Sequence, residues 1–403
     1  MNYPYLKNKN VLLGVSSGIA LYKAVDLASK LRKLDVGLNI ILTPNAEKLI
    51  DKTVFSAVGD CNVYTSIKND VNGGWIPHTS LSADADVFVV APATTNTIAK
   101  LNAGFADNLL TATASAFDKE EKIIVATMNT RMFENKANLR NLKGLEEMGW
   151  KIMFPDEGHL ACGEVGKGRY PDNENILEFI DGVLAPKDYE GKKVVITAGP
   201  TIEPIDPVRS ITNRSSGKMG YELARELAAR GAEVYLISGP TKLKPPFLVK
   251  KFFSVESVDE MFKLTLKFFK EADIAIMAAA VSDYKVKNYS NKKIKKSSEN
   301  LIIELEKNPD ILKELGKIKN NTQITVGFAA ETNDVIEYAN KKLINKNADI
   351  IVSNDVSRKD IGFDSNQNEV VLISKDGEKH VEKSSKRDIS VAICNYISSK
   401  FSK

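Results

Sequence analysis

The sequence predicts an α/β protein of two open, doubly wound parallel-sheet domains. Three observations predict it. Short apolar runs alternate with amphipathic helical patterns along the chain. Those runs are apolar at every position rather than at every second one. The alternation stops once, at the charged, Pro- and Gly-punctuated segment 185–191, and then begins again. Strands apolar on both faces need a helix layer on each side, which is the arrangement of a parallel sheet. Ligands in such sheets bind beyond the carboxyl ends of the strands, so the residues that follow each apolar run are the ones to read for chemistry.

In the first domain, taken as residues 1–188, strands are expected at 11–15, 38–42, 87–91 and 123–126. A helix is expected over 19–34, where apolar residues recur at helical spacing, and another over 175–184 closes the domain. In the second, residues 189–403, strands are expected at 193–197, 233–238, 274–277, 324–328 and 349–352. Helices are expected at 219–230, 258–269, 310–316 and 334–345. A hairpin pairs 369–373 with 380–382 around Asp376-Gly377, and a last helix covers 387–399.

A chain of 403 residues has room for a core in each half. Its charged fraction of 27% and apolar fraction of 43% are ordinary for a globular protein. The net charge of +4 makes no case for a nucleic-acid partner. The main basic excess, Lys292-Lys-Ile-Lys-Lys296, reads as a solvated loop unless a site claims it. No apolar run approaches the roughly 20 residues of a membrane span, and no secretory pattern opens the chain. Cys61, Cys162 and Cys394 are widely separated and form neither a disulfide framework nor a zinc spacing. A reduced, cytoplasmic setting without a membrane partner is the expectation.

Two strand-to-helix handovers carry the strongest signals. The first is Gly14-Val-Ser-Ser-Gly18. It departs from GxGxxG, and no acidic ribose ligand follows the next strand, so a mononucleotide is favoured over NAD. Ala91-Pro-Ala-Thr-Thr-Asn-Thr97 ends another strand with hydroxyls and an amide, Thr94 and Asn96 among them, and Asn129 ends a third. His78 precedes the 84–91 region, and Cys162 sits in a glycine-rich loop, 158–169, an unusual place for an inert buried thiol. The second handover is Ile211-Thr-Asn-Arg-Ser-Ser-Gly-Lys-Met-Gly220. Backbone N–H groups at a helix start can hold a phosphate there, yet the string is not the GxxxxGK[ST] loop. Asp283 follows a strand rich in small residues, and Phe328 ends another. Asn308 or Asp310 stands near a cap position, Lys293 offers charge, and Lys342 and Lys346 share one helix face.

On GVSSGIALYK, the His78 region, PATTNTIAKLNAGFADNLL, TMNTRMF and LACGEVGKGR, the first half resembles the flavoprotein cysteine decarboxylases, phosphopantothenoylcysteine decarboxylase in particular. The proline that this family places before Met-Asn is absent; the chain reads Ala126-Thr127, and the closing aromatic is Phe133. The resemblance implies bound FMN, unchanged over the cycle, held by Gly14, Ser16, Ser17, Gly18, Thr43, Thr94 and Asn96. It implies a catalytic set of His78, Asn129 and Cys162: a proton mover, a carboxylate holder, and a proton donor on a loop that covers the substrate.

The second half resembles phosphopantothenate–cysteine ligase, and the order of motifs is that of the bifunctional family. That resemblance implies a flavodoxin-like or Rossmann-like FMN domain followed by a Rossmann-like ligase domain. It implies 4′-phosphopantothenate, L-cysteine and CTP as substrates, Mg2+ or Mn2+ on the nucleotide through unassigned ligands, and phosphopantothenoylcysteine passed to the first half. Ala279, Asp283, Lys293, Pro309, Asp310, Ile311, Leu312, Phe328, Lys342 and Lys346 match the nucleotide contacts, and Asn213 matches the residue that stabilises the acyl-cytidylate. Arg209, Ser215, Ser216, Gly217 and Lys218 are expected as further substrate or phosphate contacts. The resemblance also implies a homo-oligomer, with trimeric flavin halves, dimeric ligase halves and closed particles up to a dodecamer. Two other readings stand beside it: a flavin-binding regulator without catalysis, and a nicotinamide-dependent oxidoreductase.

Overall fold

The computed structural model describes residues 2–67, 75–295, 300–331, 335–355 and 365–401. The chain divides into two units, Met1–Ala185 and Pro186–Lys403. Lys187 and Tyr189 already belong to the second: the Lys187 ammonium donates to the Ala229 carbonyl, and the buried Tyr189 hydroxyl donates to the Cys394 carbonyl at 2.6 Å.

The first unit runs β1 (Asn10–Val15), α1 (Leu21–Arg32), β2 (Gly37–Leu42), α2 (Pro44–Glu47), α3 (Lys52–Gly59), β3 (Asn62–Tyr64), α4 (Pro77–Asp84), β4 (Val87–Ala93), α5 (Thr95–Asn102) and α6 (Leu109–Ala116). It continues with β5 (Lys122–Ala126), α7 (Thr130–Phe133), α8 (Lys136–Glu147), β6 (Lys151–Met153), β7 (Asp156–His159), β8 (Val165–Arg169) and α9 (Asn173–Leu184). Among the described residues, six strands form a sheet in the order β3-β2-β1-β4-β5-β6. Every pairing in it is parallel. All seven residues of β4 are buried, as a central strand covered on both faces requires. Phe88 on that strand packs against Phe117 and Trp150, with ring centroids 5.8 and 6.0 Å apart. Burying an aromatic of this size contributes about 2–3 kcal/mol. The chain winds outward from β1 to β3, then returns to place β4 beside β1. A crevice therefore opens at the carboxyl ends of β1 and β4.

The second unit repeats the plan with β9 (Lys193–Ala198), β10 (Ile202–Pro204), β11 (Ser210–Thr212), α10 (Lys218–Ala229), β12 (Glu233–Ser238), β13 (Lys251–Ser254), α11 (Val258–Phe269) and β14 (Ile274–Met277). It ends with β15 (Tyr284–Val286), β16 (Leu305–Lys307), α12 (Ile311–Ile318), β17 (Ile324–Glu331), α13 (Val335–Asn345), β18 (Ile350–Asp355), β19 (Gln367–Ser374), β20 (Gly377–Ser385) and α14 (Lys386–Ser398). The sheet order is β13-β12-β9-β14-β17-β18-β19-β20. Its reversal lies between β9 and β14, and separate apolar clusters fill its two faces.

Two details differ from the sequence expectation. The second sheet is not parallel throughout: β19 pairs antiparallel with β18, and β20 with β19, so the expected hairpin finishes the sheet. The 211–220 stretch is not a direct handover either. Ile211 and Thr212 pair in the antiparallel β10–β11 ribbon before α10 begins. Lys296 of the basic run and Asp334, the expected start of the 334–345 helix, lie outside the described residues.

Candidate functional site

In the first unit the crevice is laced together by small polar groups. Ser16, just past β1, is 1% exposed and donates from its hydroxyl to the Pro92 carbonyl at 2.7 Å. The Thr94 backbone N–H donates back to Ser16 Oγ at 3.0 Å. Thr127 N–H reaches the Ala93 carbonyl at 3.0 Å, and the Thr95 hydroxyl donates to Met128 Sδ at 3.0 Å. Thr43 ends β2 and caps α2, accepting from Ala46 N–H at 3.3 Å. The ends of β1, β4 and β5 are thus held in register around one opening. Neither α1 nor α5 has a side-chain cap on its first turn. Ser17, Gly18 and the exposed Asn96 stand at those helix starts. Gly14 has no room for a side chain: a Cβ would lie 2.9 Å from Leu110 Cδ1. Hydroxyls, an amide and uncapped backbone donors fit the phosphate and polar rim of a flavin mononucleotide. His78 lies in the first turn of α4 with Nδ1 buried and no hydrogen-bond partner among the described residues. A buried ring nitrogen without a protein partner calls for another, an ordered water or a ligand.

Asn129 and Cys162 meet, although they lie far apart in sequence. The β7–β8 hairpin carries Cys162 at its tip and lies against residues 128–130. Met128 N–H donates to the Gly168 carbonyl at 3.1 Å. The Asn129 side chain accepts from Arg131 N–H at 2.9 Å through Oδ1. Its Nδ2 donates to Cys162 Sγ at 3.1 Å and to Glu164 Oε2 at 3.0 Å. The other Glu164 oxygen takes the Arg131 guanidinium at 2.7 Å. The Asn129 hydrogen bond, then the Arg131 charge, hold the Glu164 carboxyl below the usual carboxylate range. No hydrogen bond joins His78 to this group among the described residues. Glu164 and Arg131 were missed from sequence; nothing local marks a glutamate among glycines as a partner of Asn129.

In the second unit a cavity of about 460 Å³ opens at the β9–β14 reversal. Its walls include Asn213, Ser215, Ser216, Gly217 and Lys218 on one side. The other side has Ala279, Asp283, Pro309, Asp310, Ile311, Leu312, Phe328, Lys342 and Lys346. Gly217 caps α10 at φ +74°, a left-handed conformation that suits glycine, and no side chain caps that helix. Asn213 donates from Nδ2 to the carbonyls of Ala280 and Val281, at 3.2 and 3.0 Å. Lys342 donates to the Phe328 carbonyl at 2.6 Å, and Lys346 pairs with Asp310 at 2.7 Å. Of the two cap candidates, Asp310 caps α12, accepting from Lys313 N–H at 3.1 Å. Burial pushes the Asp310 carboxyl up, but the Lys346 ammonium and the Lys313 N–H outweigh it, and the net shift is downward. Asn308 instead donates to the Ser282 carbonyl at 3.0 Å and keeps a buried, unpartnered Oδ1. Asn368 also lines the cavity with an unpartnered Oδ1.

Arg209 and Lys293 do not line this cavity. The Arg209 guanidinium donates to the Ile294 carbonyl at 3.0 Å, and buried Asp206 accepts from Ile294 N–H at 3.2 Å. Arg209 therefore tethers the loop that carries Lys293. Asn354, Asn368 and Lys386 line the cavity without a sequence signal, because β18, β19 and α14 bring them there only in the folded sheet.

Comparison with known proteins agrees with this two-part layout. Residues 2–185 match the Flavoprotein family model. Residues 189–401 match the DNA/pantothenate metabolism flavoprotein C-terminal domain. The chain is 44% identical over 398 residues to the coenzyme A biosynthesis bifunctional protein CoaBC of Bacillus subtilis, covering 97% of each. The chain belongs to that bifunctional family. The relative from Vibrio cholerae is 40% identical over 394 residues, covering 97% of this chain and 98% of the relative. Among solved structures, the C-terminal domain of a CoaBC protein is 41% identical, covers 54% of this chain and 98% of its own, and has a TM-score of 0.47. As a member of the family the chain is a bifunctional enzyme of coenzyme A biosynthesis, with a flavoprotein decarboxylase half and a ligase half. Among the described residues no helix is long and apolar enough to cross a membrane.

The family assignment gives the clamp hairpin a testable consequence. A Cβ on Gly168 would lie 2.1 Å from the Met128 carbonyl oxygen, and backbone there cannot yield. Gly168→Ala is expected to lift β8 off residues 128–130 and separate Cys162 from Asn129. Misplacing a reacting group by about 1 Å can cost on the order of 10²-fold. Formation of the reduced product should fall by that order while flavin absorbance and ligase activity persist. Normal yields of the reduced product from this variant would mean that the hairpin contact is dispensable.

Proposed function

We propose that the chain joins L-cysteine to 4′-phosphopantothenate at the expense of CTP, then decarboxylates the product, phosphopantothenoylcysteine, to 4′-phosphopantetheine with FMN. What carries this reading is the meeting of Asn129 and Cys162 at 3.1 Å beside the opening at the β1, β4 and β5 strand ends.

In the ligase half the pantothenate carboxylate attacks the α-phosphate of CTP and pyrophosphate leaves. The cysteine amine then attacks the activated carbonyl, and CMP leaves. Lys342 and Lys346 supply positive charge within the cavity, and the uncapped start of α10 presents backbone donors. Asn213 gives up its bond to the Ala280 or Val281 carbonyl and donates that N–H to the acyl oxygen as charge develops. The unpartnered acceptor of Asn308 suits a donor group on the nucleotide base. Magnesium or manganese rides on the triphosphate oxygens; among the described residues no group of three His, Cys, Asp or Glu side chains could hold a metal unaided. Lys293, on the loop that Arg209 tethers, is the further charge assigned to the nucleotide phosphates in this reading.

In the flavin half, Ser16, Thr94 and the starts of α1 and α5 hold the FMN phosphate, with Ser17, Gly18, Thr43 and Asn96 at its rim. Bound FMN supplies reversible two-electron chemistry at the substrate's thiol end, which makes loss of the carboxylate easy. Asn129 holds that carboxylate. His78 uses its unpartnered Nδ1 to move or polarise the thiol proton. Cys162 donates the last proton from its clamp hairpin. The same reading includes a cytoplasmic homo-oligomer, with trimeric flavin halves and dimeric ligase halves.

The test is incubation with 4′-phosphopantothenate, cysteine, CTP and magnesium. Pyrophosphate, carbon dioxide and a mass equal to 4′-phosphopantetheine are expected from a yellow protein. Colourless protein that releases no pyrophosphate would overturn the proposal.

A further inference from the structure

Both N–H bonds of the Asn129 amide are committed. One donates to Cys162 Sγ at 3.1 Å and the other to Glu164 Oε2 at 3.0 Å. An amide in that state cannot also hold a substrate carboxylate, so one acceptor must leave. Glu164 is the chemical equivalent of the incoming group: an acceptor-only carboxylate with one oxygen on Asn129 and the other on the Arg131 guanidinium at 2.7 Å. Two donors therefore already grip the two oxygens of one carboxylate. The Arg131 guanidinium holds nothing else in the described hydrogen bonds, and its side chain is 84% exposed, against 38% for Glu164. A pair this open is screened by water and is displaced at little cost.

We infer that Asn129 and Arg131 together form the receiving fork for the carboxylate of the cysteinyl substrate, and that Glu164 is the fork's internal occupant. The inference rests on the decarboxylase reading above and adds two residues to it, Arg131 as a substrate contact and Glu164 as a specificity-determining competitor. The substrate carboxylate displaces Glu164. Once the carboxyl has left as neutral carbon dioxide, nothing on the product competes for the fork, and Glu164 returns to it. The downward shift of the Glu164 carboxyl agrees with a group held as an anion on this fork. An occupied fork lowers the apparent affinity for a carboxylated ligand by the fraction of time it is free, and leaves a ligand without a carboxylate unaffected.

The test compares two thiol-free probes on the FMN-loaded full chain by calorimetry. 4′-Phosphopantothenoyl-serine keeps the carboxylate; 4′-phosphopantothenoyl-ethanolamine lacks it. Glu164→Gln keeps shape but weakens the internal bond, and is expected to bind the serine probe about three- to tenfold tighter. Arg131→Gln is expected to bind the serine probe roughly tenfold more weakly. Neither change should move the ethanolamine probe. In turnover, Glu164→Gln should lower KM for the natural substrate, a split that a mere loosening of the hairpin would not produce. Equal weakening of both probes by Glu164→Gln, or an unchanged serine probe in Arg131→Gln, would overturn the inference while leaving decarboxylation by the natural chain intact. If the natural chain binds neither probe and releases no carbon dioxide, the underlying reading falls and the fork with it.

Discussion

Cys162→Ser protein is expected to purify yellow, to accept phosphopantothenoylcysteine, and to release carbon dioxide without making 4′-phosphopantetheine. The thiol stands at the tip of the β7–β8 hairpin, 3.1 Å from Asn129 Nδ2, and is exposed. The groups proposed to hold FMN, Ser16, Thr94 and the start of α5, lie on other elements and are untouched by the change. A serine hydroxyl is a weaker acid than a thiol by several powers of ten. A step that needs a proton from this position should slow by about 10²–10⁴-fold, the usual worth of a placed acid. Steps before it need no such proton. The substrate would then be decarboxylated and remain oxidised, lighter than 4′-phosphopantetheine by a pair of hydrogens. Mass spectrometry of the released material checks this directly. Normal yields of the reduced product from the serine variant would take Cys162 out of the chemistry.

The layout of both sheets was legible because a buried parallel strand leaves a strong trace. Val87 to Ala91 is apolar throughout, and the structure extends that strand only to Ala93. Helices with clear amphipathic spacing were legible for the same reason; 258–269 matches Val258–Phe269 at both ends. The ribbons were not legible. β7 and β8 read as a loop because glycine gives no alternating pattern, and two of their glycines, Gly166 and Gly168, are there for close approach to residues 128–130 rather than for strand preference. β10 contains Pro204 and β15–β16 is short and exposed, so neither carries a buried face to betray it.

The same divide runs through the site. Residues that follow strand ends, such as Ser16, Thr94 and Asn129, follow from where the apolar runs stop; Phe328, expected at a strand end, lies inside β17, which runs on to Glu331. Glu164 and Arg131 depend on a hairpin folding back across the sheet rim. Arg209 and Lys293 carry the charge expected of phosphate contacts. Yet Arg209 is spent on the Ile294 carbonyl, so its sequence position next to the motif says little about where its guanidinium goes.

Asn213→Ala should abolish formation of the cysteine conjugate while the flavin half still decarboxylates conjugate supplied from outside. In the structure Asn213 spans from the 213–217 loop to the carbonyls of Ala280 and Val281, at 3.2 and 3.0 Å. Its amide thus stands where the start of α10 faces the end of β14 across the cavity. A donor aimed at developing oxygen charge is worth about 10²–10³-fold in rate, or roughly 3–4 kcal/mol. The alanine variant also frees the loop, so Asn213→Gln, which keeps the amide on a longer arm, separates the two effects. Loss of loop anchoring alone would weaken CTP binding in both variants. Loss of a placed donor would spare CTP binding and cut acyl-cytidylate formation, read as pyrophosphate released before cysteine is added. Normal pyrophosphate release from Asn213→Ala would remove this residue from the activation step and leave the lysines and the helix start as its working parts.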